Sequence, residues 1–131
     1  MATRFRAYKL GTEGAAFSYS TGTYFTLIEA RLTDTMIPNI SEELKLSGVV
    51  DRIDRLHITS WDKDHCMKSD LEKILEHLKP KHIDSPGYMP ITENGIACKK
   101  LIENYNSQQI PTSTLQAYNP SYINGLSGGS S

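Results

Sequence analysis

The chain has 131 residues, 38% of them hydrophobic and 22% charged, with a net charge of −1, which fits one soluble globular domain with a buried core. So small a net charge gives no bulk attraction to DNA or membranes, and no apolar run approaches the ~18 residues of a membrane span. The opening residues form no signal peptide, and the two cysteines, Cys66 and Cys98, are too few for a disulfide framework. The expected compartment is the cytoplasm, with both thiols reduced and packed as small apolar groups.

Arg4 to Leu10 alternates polar and apolar residues as a half-buried strand does, although its inward face is ambiguous. Gly11-Thr12-Glu13-Gly14 reads as a turn, because two glycines three apart supply positive φ without steric cost. Two β-prone runs, residues 15–20 and 24–30, flank Thr21-Gly22-Thr23 and predict a hairpin. Thr33 to Ile40 contains Pro38 and Asn39 and is expected to loop; Ser41 then caps a short helix that Gly48 ends. A strand follows at residues 53–58.

Ser69-Asp70-Leu71-Glu72 has capping-box spacing, and Leu71, Ile74, Leu75 and Leu78 recur at helical intervals, predicting a helix over 69–78 that stops before Pro80. Residues 81–84 form a short strand, 85–90 a loop, and about 93–105 a helix with Cys98, Leu101, Ile102 and Tyr105 on one face. The order of elements indicates an α/β layered fold. Residues 106–131 are rich in Gln, Ser, Thr, Pro and Gly and read as a loop or linker-like tail.

The most informative stretch is Thr59-Ser60-Trp61-Asp62-Lys63-Asp64-His65, directly after the 53–58 strand. Side chains two apart on an extended backbone share a side, so Ser60, Asp62 and Asp64 can face one pocket and His65 can join them. Oxygen and imidazole donors at a strand end suit zinc or the harder manganese. The same residues also suit a polar loop with a helix cap. Trp61 offers a surface for stacking a base or a lid over the sheet, Lys63 and Lys68 offer charge for a phosphate, and His57 is expected to be packed or half-exposed. Asp51 and Asp54 read as solvated charges.

Taken together, residues 10–16, Leu27-Ile28-Glu29-Ala30 and Leu56 to His65 resemble the opening half of a metallo-β-lactamase-fold hydrolase, nearest the hydrolase branch of the competence protein ComEC. The resemblance implies an αββα sandwich of which 1–105 forms the N-terminal half, a mixed sheet with helices on one face. It also implies a metal-dependent hydrolase acting on phosphodiester bonds, nucleic acid among them, with one or two ions of zinc or manganese. Asp62, Asp64 and His65 would be metal ligands, with Asp62 and Asp64 also catalytic. A bound metal of this kind lowers the pKa of its water to about 7. Ser60 stands where such proteins have their first metal-binding histidine, Glu29 where they have an aspartate, and Cys66-Met67-Lys68 where Gly-Gly is common. The resemblance stops near Tyr105, so the later ligands are expected beyond this chain and the chain alone is expected to be inactive. A degenerate relative that keeps the fold and serves as a binding or regulatory module is the alternative.

Overall fold

The computed structural model describes residues 3–10, 14–46 and 52–108, together with the backbone of 114–118. Six strands form one mixed sheet in the order in which they occur along the chain. Strands β1 (Thr3–Tyr8), β2 (Ala16–Thr21) and β3 (Tyr24–Ile28) run antiparallel, the second pair joined at Gly22, whose φ of 61° fits a tight hairpin. From β3 onward the pairing is parallel, through β4 (Arg55–His57), β5 (His82–Pro86) and β6 (Thr114–Tyr118). Parallel neighbours need a crossover, and the helices α1 (Met36–Leu46), α2 (Lys68–His77) and α3 (Glu93–Gln108) supply the three that are needed.

The side-chain alternation of the strands decides which face those helices cover. Leu27, Leu56 and Ile83 lie in register across β3, β4 and β5, and all are fully buried. Met36, Ile40 and Leu44 of α1, Leu71 and Ile74 of α2, and Cys98 and Ile102 of α3 pack into the same core. Burying each large aliphatic side chain contributes about 1.5–3 kcal/mol, so this shared layer holds sheet and helices together. The opposite face carries Phe5, Tyr19, Thr26, Arg55 and His82 in one row and Ala7, Phe17, Ile28, His57 and Asp84 in the next. No helix covers it among the described residues: Phe5 is 62% exposed, and its ring stacks on Phe17 at 5.7 Å.

Several sequence expectations need correction. The segment 33–40 is helical from Met36 onward, because Pro38 falls in the first turn, where a missing N–H costs nothing. Ser41 is therefore inside α1 rather than capping it. The capping box at Ser69 does not form: α2 starts at Lys68 after Met67, whose own side chain makes no cap hydrogen bond. Asp70 instead accepts from the backbone N–H of Leu32 at 3.0 Å and from Arg31 Nε at 3.3 Å. Ser85 and Pro86 extend β5 rather than opening a loop, and α3 continues to Gln108. Within the tail expected to be linker-like, Thr114–Tyr118 is a strand in register with β5. Residues 109–113 and 119–131 of that tail, Gly11 to Glu13, Gly48 and Asp51 lie outside the described residues.

Candidate functional site

The candidate site lies where β3 and β4 end side by side, with a buried carboxylate at its centre. Strand β3 stops at Ile28, and Glu29 turns into the left-handed region with φ 74°, a conformation costing a non-glycine residue roughly 1–2 kcal/mol. The kink is held from both sides: Glu29 N–H donates to His57 O at 2.7 Å, and Ala30 N–H donates to His65 O at 2.8 Å. It delivers a side chain 6% exposed into the 59–66 loop. There Oε1 accepts from Thr59 N–H at 2.9 Å, and Oε2 accepts from Thr59 Oγ1 at 2.6 Å and from His65 Nδ1.

A carboxylate can only accept, so Nδ1 of His65 carries a proton, and in the neutral ring Nε2 holds the lone pair. The His65 side chain is 40% exposed. A histidine held this way, by a carboxylate on one nitrogen with the other available, has the arrangement found behind metal-bound imidazoles and in histidine general bases.

The rest of the loop is built by backbone bonds. Asp62 O accepts from His65 N–H at 2.9 Å and from Cys66 N–H at 2.8 Å, forming the turn that returns the chain to a parallel bridge between Ala30 and Cys66. Arg31 steadies the turn from below, donating from Nη1 to Lys63 O at 3.0 Å. Gly14 explains the glycine of the 11–14 segment: its φ is +115°, and a Cβ there would lie 2.5 Å from Asp64 O. Only glycine lets the chain at position 14 come so close to the site loop.

Asp62 and Asp64 are both exposed on this loop. Among the described residues no group of three His, Cys, Asp or Glu side chains is gathered closely enough to hold a metal ion. Asp62, Asp64 and His65 thus share one loop without forming a ligand set. The turn at 62–65 spends its backbone on itself, and Ser60 is engaged elsewhere, its Oγ lying 3.0 Å from the Tyr88 hydroxyl and accepting from Asp62 N–H. Tyr88 also accepts from Trp61 N–H at 2.9 Å through its hydroxyl and from Trp61 Nε1 at 2.8 Å through its carbonyl. Trp61 is 3% exposed, which leaves no ring face for a base and gives it the lid role. A cleft of about 290 Å³ opens beside the loop, lined by Asp62, Lys63, Thr92, Glu93 and Asn94.

Other sequence candidates fall into structural roles. Asp54, expected to be solvated, accepts from Phe25 N–H at 2.7 Å and lies 3.7 Å from Lys81 Nζ, tying β3 to the chain before β5. Lys68 and His77 are exposed on α2. His57 and His82 both reach Asp84, His57 Nδ1 at 3.0 Å and His82 Nε2 at 2.8 Å, beside Arg55 Nη1 at 2.6 and 2.5 Å from its two oxygens. Burial alone would raise the Asp84 pKa, but the hydrogen bonds from His57 and Arg55 prevail and hold it at about 2. Neither the Asp84 cluster nor Tyr88 was singled out from sequence. Arg-x-His and His-x-Asp on adjacent parallel strands were the available signal for the former.

No family model and no curated protein matches the sequence. Among solved structures, a mutant of CmlA beta-hydroxylase is similar at a TM-score of 0.54 with 10% sequence identity, over 89% of this chain and 30% of that one. The likeness concerns the fold, and the chain spans less than a third of that protein's length. With the mixed sheet and its helices, it shows an α/β fold of the metallo-β-lactamase-like kind, consistent with the first half of the αββα sandwich.

Proposed function

We propose that this chain supplies the N-terminal half of a metal-dependent hydrolase of the metallo-β-lactamase superfamily, of the competence-related type, with phosphodiesters as the substrate class. The observation that carries the reading is the Glu29–His65 pair: a buried, conformationally strained carboxylate fixed by Thr59 and spent on setting the tautomer of one half-exposed imidazole. Strain of this kind persists where surrounding structure over-determines it, which is common at functional sites. In this reading His65 offers Nε2 to zinc or manganese, Asp62 and Asp64 add carboxylates from the same loop, and Lys63 brings a positive charge to the adjacent cleft. The described residues do not make a complete ligand set, so the remaining ligands would come from outside them, and no reaction step is assigned to this half.

A second reading has its own observation. Ser60 is absorbed into hydrogen bonds with Tyr88 and Asp62 N–H, which suits a member of the fold that has given up a metal position and acts as a binding or regulatory module. Titrating zinc and then manganese into the chain by calorimetry separates the two. The hydrolase reading expects binding that His65→Ala weakens by about tenfold or more, and phosphodiesterase activity that depends on the same residue in a polypeptide completing the sandwich. Equal metal uptake by wild type and His65→Ala, or none by either, favours the module.

A further inference from the structure

Directly after His65, the site loop ends at Cys66, and the sequence contains one other cysteine, Cys98. Both are fully buried. They meet across the gap between the loop and α3: Cys98 Sγ lies 3.7 Å from Cys66 O, and hydrogen bonding to the Cys98 thiol, with burial, pushes the Cys66 thiol far up. Asn94, one turn earlier on α3, holds the same junction, donating from Nδ2 to Cys66 O at 2.8 Å and accepting from Lys68 N–H at 3.0 Å. Two buried cysteines packed at one loop–helix junction, with no third cysteine in the sequence to compete, allow a single intrachain pairing.

We propose that Cys66 and Cys98 are a redox pair whose conversion to a disulfide fastens the site loop to α3. With hydrogen peroxide as oxidant, one sulfur attacks a peroxide oxygen, an S–O bond forms as the O–O bond breaks, and water leaves. The second sulfur then attacks the resulting sulfenic sulfur, the S–S bond forms as the S–O bond breaks, and a second water leaves. The two sulfurs together lose two electrons and two protons, which balances the reduction of peroxide to two waters. The bond replaces a weak Sγ–H contact with a covalent tie one residue from His65, so the oxidised loop opens less often. The pairing stands whether or not the chain binds metal.

The test treats the folded 131-residue chain with peroxide and compares oxidised, reduced and re-reduced protein by non-reducing peptide mapping and amide hydrogen exchange. The expected result is a Cys66–Cys98 cross-linked peptide, exchange at residues 62–67 slowed on the order of tenfold, and reversal of both by dithiothreitol. Cys98→Ala should abolish the cross-link and the slowing, and Cys66→Ser provides the same control should that variant fold poorly. The proposal is overturned if the thiols stay free or oxidise separately to sulfinic acids in the folded chain. It is equally overturned if the cross-link forms only in urea, or forms without slowing exchange in the loop. Zinc titration of the reduced protein is unaffected by any of these outcomes, so failure here and failure of the hydrolase reading are separately visible.

Discussion

Two buried carboxylates receive imidazoles in this molecule, and they are built differently. Asp84, on the sheet face opposite the helices, is surrounded by the permanent cation of Arg55 and by both His57 and His82. Glu29, at the ends of β3 and β4, has Thr59 and a single imidazole. The first is an ionic network centred on Asp84 that ties β4 to β5 through Arg55, His57 and His82. In the second, one carboxylate in a costly backbone conformation orients one outward-reaching ring. A carboxylate matched by a guanidinium serves the fold, whereas one matched by neutral donors and a lone histidine serves the group it positions.

The largest test of that contrast is Asp84→Ala. Removing one partner from a buried ionic network leaves its donors unmatched, and because Arg55 reaches solvent the expected loss is about 2–4 kcal/mol, at the lower end of what such deletions cost. Urea denaturation measures it, and a loss under about 1 kcal/mol would show that Asp84 is not a keystone of the sheet. The pH dependence follows from the same pair. Asp84 is held at about 2, below its ordinary 3.8, so it contributes stability that is fully present above about pH 4 and is lost as pH falls through about 2. The contribution is on the order of 2 kcal/mol, and an Asp84→Asn variant should lack that acid-side component while otherwise following the wild-type curve.

On the other side of the comparison, Glu29→Gln should lower stability by about 1–2 kcal/mol, since one charge-assisted bond is lost while the amide oxygen still accepts from Thr59. Its larger effect should fall on His65, with affinity for zinc reduced about 10–100-fold. A stability loss matching that of Asp84→Ala with unchanged zinc affinity would erase the distinction between the two clusters. Gly14→Ala is the indirect probe. The new Cβ meets Asp64 O at 2.5 Å in a backbone region that alanine avoids, so a loss of at least about 1 kcal/mol should come with faster amide exchange in the site loop. The smallest effect is expected of Tyr105→Phe, which removes the 2.6 Å bond to Pro80 O and the hydroxyl's hydrogen bond with Arg52, for about 1 kcal/mol and no change at either carboxylate.

How much of this was legible in the sequence differs between the same two regions. The strands that carry Leu27, Leu56 and Ile83 were legible as β-prone runs at 24–30, 53–58 and 81–84, whereas their parallel pairing left no signal in the sequence. The helix stripes at Leu71, Ile74 and Leu75 were legible too. Helix starts were misread where two signals competed: Pro38 suggested a loop but is tolerated in a first turn, and Asp70, a natural capping residue, was claimed by Arg31 and Leu32 from another element. The site loop was found through the concentration of Asp62, Asp64 and His65. The residue at its centre was seen only as a departure from a pattern, because Glu29 acts through a left-handed kink that nothing in the local sequence signals. Partnerships spanning distant positions, such as Tyr88 with Trp61 and Asp84 with Arg55, leave no local periodicity and become visible only once strands and loops are side by side.

The central claim is that Glu29 fixes His65 with its proton on Nδ1 and Nε2 available as a donor. Long-range proton–nitrogen correlation spectra of the ¹⁵N-labelled chain read that tautomer directly, before and after zinc is added. The account predicts a protonated Nδ1 in the metal-free protein, a zinc-induced shift confined to Nε2, and loss of the tautomer preference in Glu29→Gln. A proton on Nε2 in the metal-free wild type, or a His65 ring indifferent to both zinc and Glu29→Gln, would contradict it.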